Sequence, residues 1–115
     1  MRYSKYRNRK VEIDGIVFDS VKEGRRYQEL KLLEKAGYVK DIKLQVPFVL
    51  LPSQKNNEGK VAERKVSYVA DFVYDEQRDG EWRSVVEDVK GVRTEVYRLK
   101  RKLMLFIHGI EVQEY

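Results

Sequence analysis

At 115 residues, with 42% hydrophobic and 37% charged residues, the chain has the size of one domain with a modest core. It has no cysteine, which excludes disulfides and thiolate metal sites, and no apolar run approaches the roughly 18 residues of a membrane span. The net charge of +5 favours an anionic partner such as nucleic acid over an acidic surface seeking cations.

Residues 1–10 hold Arg2, Lys5, Arg7, Arg9 and Lys10 with Tyr3 and Tyr6 between them. They show neither helical nor strand period. The segment reads as a solvated terminus or as a basic arm, with Arg7, Arg9 and Lys10 placed for phosphates. It lacks the apolar core of a secretion signal, so a cytoplasmic setting is expected. Residues 11–115 read as a single domain. Asp14-Gly15, between two apolar alternations, predicts a hairpin over 11–18 with a type I′ turn.

Ser20 predicts a helix N-cap, and Glu23 falls at the capping-box position three residues on. The helix is expected to run to about Ala36, with Gly37 after it and a buried stripe of Tyr27, Leu30, Leu33 and Leu32. Gly24 in its first turn costs about 1 kcal/mol relative to alanine, which points to close approach by another element or a ligand. Ile42 to Leu51 reads as a strand that Pro47 makes an edge or bulged one. Residues 53–65 are polar and expected to form a long turn.

Val66 to Tyr74 is the clearest strand. Alternation puts Tyr68, Ala70, Phe72 and Tyr74 on one face and Val69, Asp71 and Val73 on the other, so it should be central and covered on both sides. Trp82 to Lys90 forms the next strand. Here Val86, Asp88 and Lys90 face one way, and Val85, Glu87 and Val89 the other. After Gly91, Thr94 predicts an N-cap for a helix to about His108, which Gly109 stops. Val96, Leu99, Leu103, Phe106 and Ile107 give its apolar face, and Arg98, Lys100, Arg101 and Lys102 a basic one. Residues 110–113 are expected as a last strand, reached by a right-handed crossover. The whole predicts an α/β fold: a mixed sheet flanked by helices, with an N-terminal hairpin.

The chemistry concentrates on the two central strands. Asp71 and Asp88 lie 17 residues apart on successive strands, and a turn can bring them onto one face. Paired carboxylates repel unless water or a cation relieves them. Lys90 supplies one positive charge. Magnesium, a hard cation content with one or two carboxylates and several waters, would supply the rest. Such an ion polarises a phosphate and acidifies a bound water, and Lys90 can orient the attacking water. The bland alternatives are a buried Asp71 satisfied by backbone or by Arg83, a structural Asp88–Lys90 pair, and a Glu23 that only caps its helix.

Asp71 on one strand with Asp88-Val89-Lys90 on the next resembles the motif of the PD-(D/E)XK nuclease superfamily. The order helix, three-strand antiparallel meander, helix, strand is similar to its restriction-endonuclease-like core over roughly 19–113. The chain more closely resembles a family of small phage-encoded proteins of this superfamily, long catalogued as a domain of unknown function. That likeness rests on Phe18-Asp19-Ser20-Val21-Lys22-Glu23, Arg26-Tyr27, Gln45-Val46-Pro47-Phe48, Tyr68-Val69-Ala70-Asp71-Phe72, Val86-Glu87-Asp88-Val89-Lys90-Gly91 and Tyr97-Arg98-Leu99-Lys100-Arg101-Lys102. Ala70 stands where the nominal motif has proline, and Glu87 beside Asp88 leaves two acids for one position; alternation favours Asp88, on the side of Lys90.

The resemblance implies DNA phosphodiester cleavage with Mg²⁺ or Mn²⁺. Asp71, Asp88 and Glu23 would be metal ligands and Lys90 the fourth catalytic residue. The host cell's cytoplasm is the expected location if the chain is phage-encoded. Arg98, Arg101 and Lys102 join the arm as expected DNA contacts, Gln45 as a residue near the site, and His108 as an ordinary helix-end residue. Cutting both strands, or resolving a branched junction, would need a homodimer. The rival readings are a non-catalytic DNA-binding module of the same fold and a structural assembly protein.

Overall fold

The computed structural model describes residues 9–115, so Arg7 of the expected arm lies outside the described residues; Arg9 and Lys10 are exposed. Strands β1 (Val11–Ile13) and β2 (Ile16–Phe18) pair antiparallel around Asp14 and Gly15, whose φ values of 54° and 77° are the left-handed pair a type I′ turn requires. Helix α1 (Val21–Lys35) starts where the Ser20 Oγ accepts from the Glu23 amide at 3.1 Å. It ends at Gly37, with φ of 87°, and the Tyr38 amide returns to the Leu33 carbonyl. A Cβ on Gly24 would lie 2.7 Å from Val11 Cγ2 and 2.9 Å from Ile13 Cδ1. The close approach this glycine permits is therefore that of the hairpin. Tyr27 and Leu30 are buried as expected, whereas Leu32 faces solvent.

The chain continues through β3 (Val39–Leu51), β4 (Gln54–Lys55), β5 (Val61–Glu63), β6 (Val66–Arg78), β7 (Glu81–Asp88), α2 (Glu95–His108) and β8 (Gln113–Glu114). The main sheet has the order β3-β6-β7-β8, antiparallel except for the parallel β7–β8 pair. It is the expected mixed sheet, with β6 inside and Pro47 on the edge strand. Residues 53–65 are not a plain turn: β4 and β5 pair into a small ribbon. The last strand begins at Gln113 rather than Ile110.

Two cores flank the sheet. One joins α1 and the hairpin to Phe72 and Tyr74; the other joins Tyr97 and Met104 of α2 to Val86, Ala70 and Tyr68. Val73, between Phe72 and Tyr74, packs with the α2 core, so the two cores lie on opposite faces. The expected single face of Tyr68, Ala70, Phe72 and Tyr74 does not hold. Tyr68 and Ala70 serve α2, whereas Phe72 and Tyr74 serve α1. Strand β3 switches in step: Ile42 and Leu44 join the α1 core, Phe48 and Leu50 the α2 core.

The switch has a local cause. Gln45 adopts φ of 52°, and the register runs from Leu44↔Phe72 to Val46↔Ala70 without a pair between Gln45 and Asp71. A left-handed residue breaks the pleat, and both strands change the helix they serve there.

Helix α2 is capped as expected by Thr94, whose Oγ1 accepts from the Tyr97 amide, and by left-handed Gly109. Its buried face, however, is Tyr97 and Met104, with Leu103 partly covered. Val96, Leu99, Phe106 and Ile107 are 63%, 56%, 87% and 41% exposed. The helix carries two apolar stripes about one residue apart in phase, and the one through Tyr97 and Met104 is buried.

Candidate active site

The break at Gln45 and Asp71 is where the acids gather. Beyond the Phe72↔Glu87 pair, β7 no longer follows β6. The Asp71 side chain fills the opening: its Oδ2 accepts from the Val89 amide at 2.9 Å, taking the place of a ladder partner. Its Oδ1 accepts from Gln45 Nε2 at 3.3 Å. The same amide nitrogen donates to Glu23 Oε1 at 3.0 Å. Gln45 therefore bridges two carboxylates from different elements, and its backbone twist aims it there. Asp71 is thus satisfied by an amide and a backbone N–H; Arg83 plays no part in holding it.

Glu23 is buried in the first turn of α1. Its carboxyl is pushed up to about 7, chiefly by burial, then by the nearby charges of Asp71 and Asp19. Ser20 makes its half of the capping box, and the Glu23 carboxylate is engaged by Gln45 instead of completing the other half.

Asp88 ends β7 on the α2 side, as alternation requires. Its Oδ2 is buried and accepts no hydrogen bond of ordinary geometry among the described residues; its polar neighbour is the Lys90 ammonium. Lys90 is pulled below its usual value by burial, against the raising effect of Asp71. Its Nζ stands 3.9 Å from the centre of the Tyr97 ring, a cation–π contact. The Lys22 ammonium donates to the Lys90 carbonyl, and the Lys90 amide to the Tyr115 carbonyl, so the turn after β7 is pinned from α1 and from the C-terminus. Tyr97 is fixed in turn by Glu114 Oε2, 2.7 Å from its hydroxyl. That hydroxyl, with Arg93 and Arg101, holds Glu114 down at about 2 despite its burial.

Asp71, Asp88 and Lys90 line one open cleft of about 330 Å³ with Tyr68, Tyr97 and Lys100. The Tyr68 hydroxyl is buried there with no partner among the described residues. The cleft thus holds one unpartnered hydroxyl and one carboxylate oxygen served by a lysine alone, which leaves capacity for a further polar group.

The fold brings Asp71, Asp88 and Lys90 to one cleft, whereas Glu23 does not line it and reaches Asp71 through Gln45. Among the described residues no three acidic or histidine side chains converge on a single point that could cage a metal. Gln45 stands between Glu23 and Asp71, and Lys90 covers Asp88. The donor set suits a hard cation held by the two aspartates and several waters, and does not form a closed protein cage. His108 is remote from the cleft, with Nε2 2.8 Å from the Val49 carbonyl. Among the expected DNA contacts, Arg98 and Lys102 are exposed, but Arg101 is engaged by Glu114 at 3.0 Å.

The model of the family described as "Protein of unknown function (DUF1064)" matches residues 3–111. The chain belongs to that family. No curated protein and no solved structure matches it. This member of the family carries a second charged cluster that its sequence did not reveal. On the α1 face, Arg26 donates from Nε to Glu87 Oε2 and from Nη2 to Glu87 Oε1, both at 2.8 Å, and the Tyr74 hydroxyl donates to Oε1 at 2.6 Å. One signal was available: Arg26 lies three residues after Glu23, on the same side of α1. Among the described residues no helix is long and apolar enough to cross a membrane.

Proposed function

We propose that this chain is a metal-dependent deoxyribonuclease of phage or prophage type, built on a restriction-endonuclease-like core of the PD-(D/E)XK kind. The observation that carries the reading is the meeting of Asp71, Asp88 and Lys90 in one open cleft, where the buried Asp88 Oδ2 meets only the Lys90 ammonium and the Tyr68 hydroxyl has no hydrogen-bond partner among the described residues. Two aspartates and a lysine at the mouth of an open cleft, beside an unpartnered hydroxyl, supply the charges that phosphodiester hydrolysis needs.

Asp71 and Asp88 would hold Mg²⁺ or Mn²⁺, and Glu23 would join where the cation takes the place of the Gln45 Nε2 donor. When bound, the ion supplies charge against the phosphoryl oxygens and a more acidic water. Lys90, held as an ammonium beside Asp88, would orient the attacking water and offset the charge that grows on the phosphoryl oxygens, while the water's proton leaves to solvent. The Tyr97 ring holds the Lys90 ammonium at the cleft mouth. Arg9, Lys10, Arg98 and Lys102 are the basic side chains available to the DNA backbone, and Arg101 contributes by fixing Glu114 under Tyr97. One site cuts one strand per event, so duplex or branched substrates call for a homodimer.

The test is cleavage of plasmid and of a synthetic four-way junction with Mg²⁺ or Mn²⁺, by the wild type and by Asp88→Ala. Metal-dependent products that vanish in the variant support the reading. A wild type that binds these DNAs but never cuts them, with binding unchanged by Asp88→Ala, overturns it in favour of a binding module.

A further inference from the structure

We infer that the β4–β5 ribbon is a groove-contacting element for duplex DNA, an inference that rests on the nucleic-acid part of the reading above. Every residue from 51 to 65 is exposed, and none belongs to either core. The segment is nevertheless ordered from within. Asn56 Oδ1 accepts from the amides of Glu58 and Lys60, the Asn56 amide donates to the Lys60 carbonyl, and Gly59 turns the tip with φ of 80°. A two-stranded ribbon that buries nothing is marginal on its own account. A tip organised in this way serves something outside the fold.

Its charge names the partner. Lys55, Lys60, Arg64 and Lys65 outnumber Glu58 and Glu63, and none of the four cations enters an ion pair among the described residues. On the flank of α2, Arg101 is spent on Glu114, as is Arg93 before the helix, while Arg98, Lys100 and Lys102 stay unpaired among the described residues like the cations of the ribbon. Gln54 and Asn57 add exposed amides of the kind that read base edges. A two-stranded ribbon fits the major groove of B-form DNA, roughly 12 Å wide. The deep, narrow major groove of duplex RNA does not admit it.

Its position agrees. Ser67 and Tyr68, at the foot of the ribbon, also line the cleft of Asp71 and Asp88. Asp71 lies five residues along β6 from the start of that strand at Val66. At about 3.4 Å per residue that is roughly 17 Å, close to half a turn of B-DNA at about 34–36 Å per turn. A duplex presenting a phosphate to the cleft therefore offers its groove to the ribbon.

The test measures binding in EDTA, where no cleavage occurs, by wild type and by the combined variant Lys55→Gln, Lys60→Gln, Arg64→Gln and Lys65→Gln. Probes are a labelled DNA duplex, one of its single strands and an RNA duplex of the same sequence. All four side chains are exposed, and circular dichroism with thermal melting checks that the variant is folded. The expected result is at least a tenfold loss on duplex DNA, with a salt slope shallower by roughly 2–4, near 0.9 per lost phosphate contact. The loss on single-stranded DNA and duplex RNA is expected to be smaller. Unchanged duplex binding, an equal loss on all three probes, or a wild type that binds no duplex DNA overturns the inference. A wild type that never cleaves but binds duplex DNA through the ribbon sinks the catalytic reading and leaves this one standing.

Discussion

Glu87 and Asp88 are neighbours on one strand, both only 3% exposed, and their surroundings could hardly differ more. Glu87 faces α1 and receives two hydrogen bonds from Arg26, an arginine locked into a two-point fork, and one from Tyr74. Every lone pair it needs is used. Asp88 faces α2, has a single lysine against one oxygen and lacks ordinary hydrogen bonds to that oxygen. A buried carboxylate is costly unless paired and hydrogen-bonded. Glu87 meets that requirement and Asp88 does not. The saturated acid holds α1 to β7, and the unsaturated one keeps capacity for a ligand. Sequence adjacency thus placed a saturated acid and an unsaturated one back to back, on opposite faces of the sheet.

The first way to break this comparison is to attack the saturated side. Arg26→Met leaves Glu87 buried without its cation and should destabilise the fold by about 3–5 kcal/mol, read by chemical denaturation. The double change Arg26→Met with Glu87→Met should recover most of that loss, because two apolar side chains of similar length need no partner. If the single variant melts like wild type, Glu87 is not the structural acid.

Asp88→Asn attacks the unsaturated side. It should lower metal-dependent cleavage at least about 100-fold, equivalent to about 2.7 kcal/mol in the barrier. Its melting temperature without metal should fall far less than that of Arg26→Met, since Lys90 keeps the Tyr97 ring and a partly open cleft when its partner's charge is removed. A loss of stability comparable to that of Arg26→Met would erase the distinction between the two acids.

Glu23 sharpens the comparison through pH. Its folded-state value of about 7 lies above the ordinary 4.5, so between these values the folded protein keeps a proton that the unfolded chain has released. The contribution of this group to stability is full below about pH 4.5 and falls as pH rises to about 7. The expected loss is on the order of 1–3 kcal/mol. Glu23→Gln should remove this slope and be the more stable protein at pH 8 without metal. Mn²⁺ should stabilise the wild type more strongly above pH 7 than below it, because a cation takes the ionised form. Denaturation of both proteins between pH 5 and 8 checks each point.

What was legible in the sequence was what short-range chemistry decides. The Asp14-Gly15 turn, the Ser20 and Thr94 caps and the glycine stops at Gly37 and Gly109 are each set within a few residues. Strand alternation correctly put Asp88 with Lys90 and Glu87 on the other side. Gln45 was marked as a residue near the site, but nothing about a glutamine announces a left-handed backbone. Its φ of 52° is what breaks the pleat, sends Tyr68 and Phe72 to different cores and aims the amide at Glu23 and Asp71. That conformation sits where the ladder skips the Gln45–Asp71 pair, and no local sequence pattern records it. The β4–β5 pairing was missed for a related reason: its residues are polar throughout, so no alternation of burial marks the strands.

Helix α2 gives the smallest expected effect and the cleanest check on which stripe is buried. The apolar spacing of Val96, Leu99, Leu103, Phe106 and Ile107 is a legitimate helical stripe, yet Phe106 is 87% exposed while Met104, two residues earlier, is fully buried. Phase is decided by volume: Tyr97 lays a ring beneath Lys90 and reaches Glu114, which no aliphatic side chain at position 96 could do. Phe106→Ser should therefore change stability by less than about 0.5 kcal/mol. Met104→Ala should cost about 2–5 kcal/mol, because it empties the α2 core. A large loss on Phe106→Ser in dilute protein would mean that the aliphatic stripe is the buried one after all. The core beneath Tyr97, and with it the seat of Lys90, would then need to be redrawn.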